Sequence, residues 1–187
     1  MSDLALVMAL PNESKGLFEA EGIEVYYSGI GKVNAAFKAF DVIQKTGCKT
    51  LLNLGTAGSS YFNAHDLIEV TQFVQRDMDV SPLGFKVGVT PVDHDYPAEI
   101  HLEGYFEHLP KGICGTGDNF EVGEPKVACN LVDMEGYALA KICKRLGVRL
   151  ISVKYITDGA NDTAHLDWEE NLLLGAKKLL ELYKTVK

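Results

Sequence analysis

Residues 133–158 read DMEGYALAKICKRLGVRLISVKYITD, and the change of pattern inside this stretch decides the fold class. Over 133–146, Met134, Ala138, Ile142 and Leu146 recur every fourth residue, the spacing of one helix face, with Asp133 as N-cap and Gly147 as the C′ residue that ends it. After Gly147 the run RLISVKYI (149–156) reads as an extended apolar strand, and Asp158 stands at its end before the loop GANDT. Working outward, segments 4–10, 23–28, 50–54, 67–75 and 112–116 are also extended and apolar. Between them the spacing predicts a helix over 32–46 ending at Gly47. It also predicts a terminal amphipathic helix over 168–185, starting near Asp167, with Leu172, Leu173, Leu179, Leu180 and Leu182 inward. Strands alternating with helices describe an α/β fold with a largely parallel sheet.

At 187 residues, 47% hydrophobic and 24% charged, the chain builds one sizeable core without metals or disulfides, so one domain over 1–187 is expected. Its apolar runs are far shorter than the roughly 20 residues that cross a bilayer, so no membrane partner is expected. The opening MSDLALVMALPNES carries an acid where a signal peptide wants basic residues and ends its apolar run in Pro11, which predicts a cytoplasmic protein. The four cysteines form no CxxC pair and the five histidines no ligand spacing, so no metal and no disulfide framework is indicated. A net charge of −8 without a Lys/Arg cluster argues against a nucleic-acid partner; simple solubility accounts for an acidic surface.

Segment 81–110 holds four of the six prolines and three of the five histidines and resists assignment. A substrate-covering loop, a contact with a second subunit and an ordinary connection all stay open.

Two glycine-containing segments follow strands. Gly29-Ile-Gly-Lys32 opens a helix, where backbone N–H groups can cradle an anion, but Asn34 denies it a dinucleotide fingerprint, and Tyr26 and Val33 deny it a Walker loop. Gly55-Thr-Ala-Gly-Ser-Ser60 reads as a turn at the carboxyl end of strand 50–54, where ligands of α/β sheets bind. Each, taken alone, is also simply a tight turn. Three acids stand out by position: Asp158 at a strand end, Glu135 in the first turn of its helix, and Glu13 just after the first strand, beside Pro11. Singly, each reads as a cap or a solvated carboxylate. Together around one sheet edge they supply what cleavage at an anomeric carbon needs: an acid for the leaving group, a base for water, and acceptors for hydroxyls.

The segments SGIGKVNAA (28–36), LLNLGTAGS (51–59), DLIEV (66–70), RDMDVSPLGF (76–85), GDNF (117–120), LVDMEGYALAKIC (131–143) and ISVKYITDGAND (151–162) together resemble the nucleoside phosphorylase/nucleosidase superfamily. Within it they resemble most the methylthioadenosine/S-adenosylhomocysteine nucleosidases. The resemblance implies a three-layer α/β/α domain around a mixed, largely parallel twisted sheet. It implies that Asp158 protonates purine N7, that Glu135 with Met134 before it binds the ribose 2′-hydroxyl, and that Glu13 activates water beside Thr56, with Ala57 and Gly58 in the same segment. Phe120 would stack on the purine, a role that suits an aromatic face, and the Glu121 backbone would read the base edge. Without the resemblance, Phe120 and Met134 read as core packing. Thr157, beside Asp158 in the strand-end motif, and Lys154, where these nucleosidases usually carry Arg, join the implied substrate-binding set.

Phosphorylases of the superfamily resemble the same pattern but carry an arginine before the Gly-Thr-x-Gly segment. Here Asn53 and Leu54 stand there, which removes the group best suited to phosphate and favours water as nucleophile. The implied partner is a purine nucleoside, with no cofactor. The alternatives are a phosphate-dependent phosphorylase and a nucleoside-binding protein without turnover. The resemblance further implies a homodimer. The chain is shorter than a typical member between SPLGF and GDNF and again near 121–131, so the 5′ substituent stays open among methylthioadenosine, S-adenosylhomocysteine and related adenosines.

Overall fold

A computed structural model describes residues 3–95, 98–121, 125–158 and 164–186; for residues 158 and 164–170 it describes the backbone alone. The strands are β1 (Leu4–Met8), β2 (Val25–Tyr27), β3 (Thr50–Gly58), β4 (Leu67–Gln75), β5 (Glu99–His101), β6 (Lys111–Thr116), β7 (Leu131–Asp133) and β8 (Arg149–Asp158). The helices are α1 (Pro11–Ser14), α2 (Leu17–Ala20), α3 (Lys32–Thr46), α4 (Gly136–Leu146) and α5 (Ala164–Tyr183).

The sheet is mixed and runs β2-β1-β3-β7-β6-β4-β5, with β8 bridging β3 and β4. Strands β1, β2, β3 and β8 pair in parallel, as do β4 with β6 and β6 with β7. Strand β4 meets β5 and β8 antiparallel, and β3 meets β7 antiparallel through Gly58 and Val132. The pairings β3–β8–β4–β6–β7–β3 therefore close on themselves, which gathers several strand ends around one space.

Alternation along the central strands explains their nearly unbroken apolar sequences. Ala5, Val7 and Leu51 enter one buried cluster with Ala35, Ala39 and Val42 of α3 and Tyr137, Ala140 and Cys143 of α4. The intervening Leu6, Met8, Leu52 and Leu54 enter another with Ile151, Val153 and Tyr155 of β8 and Leu179, Leu180 and Leu182 of α5. A strand that is apolar on both sides cannot face water with either, so both sets of side chains are covered by helices.

Several expectations are corrected. The segment Gly55–Gly58 is not a turn: β3 continues through it, because the ladder to β8 runs unbroken from Thr50↔Arg149 to Ala57↔Ile156 and, after a register shift, reaches Gly58↔Asp158. Asp133 belongs to β7, and α4 begins three residues later with Glu135 at its N-cap. The fourfold stripe also drifts off the buried side. Four residues advance a helix by about 400°, so each step rotates the stripe by about 40°. Ala138 is buried, Ile142 only partly so, and Leu146 is 39% exposed. Helix α5 starts earlier than 168, and Leu173 is 49% exposed rather than inward. Strands β5 and β7 were not anticipated. Helix α3 matches its predicted bounds. Segment 81–110 contains β5 and is tied to α4 by Asp93, which pairs with Lys141 and Arg145.

Candidate active site

Six strands deliver residues, at or just past their carboxyl ends, to one cavity of about 240 Å³. Ala9, Leu10 and Glu13 follow β1; Thr56, Ala57 and Gly58 end β3; Arg76 follows β4; Asn119, Phe120 and Glu121 follow β6; Val132 and Asp133 end β7; and Thr157 lies near the end of β8. Ile30, Met134 and Glu135 complete the wall. No described residue of segment 81–110 is among them.

Glu13 is 4% exposed and fixed by four donors. Its Oε1 accepts from the backbone N–H and the hydroxyl of Thr56, both at 2.8 Å. Its Oε2 accepts from the N–H groups of Ala9 (2.9 Å) and Leu10 (3.0 Å). The short helix α1 makes this possible: Pro11 begins it, and Glu13 reaches back to the N-cap backbone of Leu10. Gly55 provides the space. A Cβ there would lie 3.0 Å from Glu13 Oε1 and 3.6 Å from Lys154 Nζ.

Glu135 is also buried, and its Oε1 accepts from the Gly31 N–H at 2.9 Å. The N–H groups of the Gly29–Lys32 turn are thus taken by the protein's own carboxyl groups, Gly31 by Glu135 and Lys32 by Asp118. Burial, and then the neighbouring Asp133 carboxylate, push Glu135 up to about 7, against the pull of Lys154 and the Gly31 N–H. Asp133 has the opposite treatment. Burial opposes its ionised form, but Lys154, 2.9 Å away, and the Thr116 hydroxyl at 2.6 Å outweigh burial and hold it below the ordinary carboxylate range. Asp133 also accepts from the Gly136 N–H at 2.9 Å, so it caps α4 from the strand. Lys154 is 2% exposed; burial disfavours its charge, and Asp133 first among its neighbours reverses that and raises it.

Of the residues singled out in the sequence, Glu13, Thr56, Ala57, Gly58, Phe120, Glu121, Met134, Glu135 and Thr157 share this cavity. Lys154 stands behind it, committed to Asp133. Asp158 closes β8 opposite Gly58, and its side chain lies outside the described residues. Phe120 is 56% exposed on the rim, which removes the alternative that it is core. Sequence reasoning missed Arg76 and the buried role of Asp133. The only signal for Arg76 was its place in RDMDVSPLGF, because its partners lie some forty residues away.

Residues 14–186 match the family model described as the phosphorylase superfamily. The chain belongs to that superfamily. Among its relatives, an aminodeoxyfutalosine nucleosidase of Campylobacter jejuni is 31% identical over 172 residues, covering 81% of this chain and 74% of the relative. A 5′-methylthioadenosine/S-adenosylhomocysteine nucleosidase of an Exiguobacterium species is 30% identical over 170 residues, covering 80% and 73%. In fold, the chain is similar to the crystal structure of 5′-methylthioadenosine/S-adenosylhomocysteine nucleosidase from Helicobacter pylori with butyl-thio-DADMe-Immucillin-A. The TM-score is 0.88 at 23% identity, over 100% of this chain and 99% of that one.

Proposed function

We propose that this member of the phosphorylase superfamily hydrolyses the N-glycosidic bond of a purine nucleoside, a 5′-substituted adenosine such as methylthioadenosine or S-adenosylhomocysteine, and releases adenine. The observation that carries this reading is a pair of buried glutamates on one cavity with different surroundings. Glu13 is held by four donors, whereas Glu135 accepts from the Gly31 N–H beside Asp133, so the two carboxyl groups line one cavity in different settings. The relatives named nucleosidases support the substrate class.

In this reading the purine stacks on Phe120, and Asp158 donates a proton to N7 as the bond from C1′ to N9 breaks and its electron pair passes to the base. Glu135 accepts from the 2′-hydroxyl and stabilises positive charge on the ribose ring. Water, activated by Glu13, adds to C1′ and leaves its proton on that carboxylate. The steps use carboxyl groups and water alone.

Water is favoured over phosphate because the cavity has little to hold a phosphate dianion. Arg76 is the sole cationic side chain among the described lining residues, and it is already paired with Glu121. Asn53, where a phosphorylase would carry arginine, donates to the Val7 carbonyl and accepts from Ser152, while Leu54 is core.

We read the fold as a single three-layer α/β/α domain with a largely parallel sheet, acting as a homodimer in the cytoplasm. No helix among the described residues is long and apolar enough to cross a membrane. Asp158→Asn tests the proton donor. Turnover of methylthioadenosine should fall by at least about a hundredfold with its binding retained; a variant with near-parental turnover removes Asp158 from the mechanism.

A further inference from the structure

We infer that Arg76 is the positioning residue for the base-binding side of the cavity, holding the loop that carries Phe120 and Glu121 at the carbonyls and side chains on either side of the aromatic ring. The inference rests on the nucleosidase reading for the identity of the base. Its geometry stands independently.

Arg76 directly follows β4 and is 5% exposed. Its guanidinium reaches every second residue from Gly115, near the end of β6, to Glu121. Nε donates to the Gly115 carbonyl at 3.2 Å, and Nη2 to the Gly117 carbonyl at 3.3 Å and to the Asn119 carbonyl. Nη1 donates to Asn119 Oδ1 at 2.7 Å and to Glu121 Oε2 at 2.5 Å. A planar fork of fixed donors imposes one shape on the chain that accepts from it, which a lysine ammonium cannot do. Gly117 is part of this arrangement, since a Cβ there would lie 2.8 Å from both Arg76 Cζ and Nη1.

The next residue holds the same loop from its other side. Asp77 accepts from the Asp118 N–H at 2.8 Å and from Lys32 Nζ at 2.6 Å, and Asp118 Oδ1 accepts from the Lys32 N–H at 2.7 Å. Phe120 itself is 56% exposed, so core packing does not fix its ring. Its two chain neighbours, Asn119 and Glu121, are both anchored on Arg76 and do so instead. A side chain that orders a binding loop in advance removes an entropic cost of binding and acts on affinity more than on the chemical step.

The test compares Arg76→Lys, Glu121→Gln and Gly117→Ala with the parent by steady-state kinetics, adenine inhibition and melting temperature. In Arg76→Lys, KM for methylthioadenosine and the inhibition constant of adenine should rise together by about tenfold, with kcat changed less than about threefold. The same factor should apply to S-adenosylhomocysteine and aminodeoxyfutalosine, because the base is common and the 5′ group lies elsewhere. Glu121→Gln and Gly117→Ala should give the same signature, with Glu121→Gln the weaker at about threefold. An unchanged adenine inhibition constant in a folded variant, or a fall in kcat without a rise in KM, overturns the inference. Should Arg76→Lys fail to fold, Glu121→Gln decides by the same criteria. Base release by the parent reports separately on the nucleosidase reading. If the parent has no turnover, adenine dissociation constants measured by calorimetry on the same variants decide for or against the clamp.

Discussion

Lys154 Nζ lies 2.9 Å from Asp133 Oδ2 with both side chains almost wholly buried, directly behind the cavity wall that carries Glu135. An isolated buried charge is costly, so each member of this pair depends on the other. Lys154→Met should destabilise the protein by about 3–5 kcal/mol in urea denaturation, because it strands the Asp133 carboxylate. Adding Asp133→Asn should recover part of that loss. Strictly additive effects would mean that the two charges are uncoupled.

Glu135 makes stability depend on pH. Its ordinary value is 4.5 and burial with Asp133 raises it to about 7, so the folded state binds a proton that the unfolded state has lost between those values. The associated stability is fully present below about 4.5 and is lost as pH rises through about 7, a change on the order of 3 kcal/mol. Denaturation midpoints of the parent and of Glu135→Gln, measured across this window, should diverge as the parent weakens toward neutral pH. Parallel curves would contradict the raised value. Asp133 titrates below the ordinary carboxylate range, outside this window, and so does not produce the divergence.

Glu13→Gln is not a conservative change. Each oxygen of Glu13 faces at least one fixed backbone N–H, Thr56 on one side and Ala9 with Leu10 on the other. The new amide must point its NH₂ at one of them in either orientation. A loss of about 1–3 kcal/mol in thermal or urea denaturation is expected. It should be accompanied by loss of base release, and full activity in this variant would exclude Glu13 as the base.

Gly55→Ala inserts a Cβ 3.0 Å from Glu13 Oε1, in a place where four donors leave the carboxylate little room to move. Turnover should fall by about tenfold or more, with a stability cost of about 1–3 kcal/mol. Parental kcat/KM would show that Glu13 adjusts freely.

Where periodicity and a local stop signal agreed, the sequence was a sufficient guide, as for α3 between Lys32 and Gly47. It misled where long-range pairing decides. Gly55–Gly58 has the composition of a turn but is strand, because β8 pairs with it along its length. Asp133 has the look of an N-cap and performs that office from within β7, because its carboxylate also serves Lys154 and Thr116. Most of the acids and small residues of the cavity were legible through several motifs agreeing at once. Arg76 was not, since the five hydrogen bonds of its guanidinium among the described residues all go to residues far along the chain and no local spacing marks it.

The most direct test of the central claim is base release from methylthioadenosine in phosphate-free buffer, with the sugar product analysed alongside. The account predicts one free adenine and one unphosphorylated methylthioribose for each nucleoside consumed, at a rate that added phosphate does not change. Adenine that appears only when phosphate is present, with a sugar 1-phosphate as the second product, would contradict it.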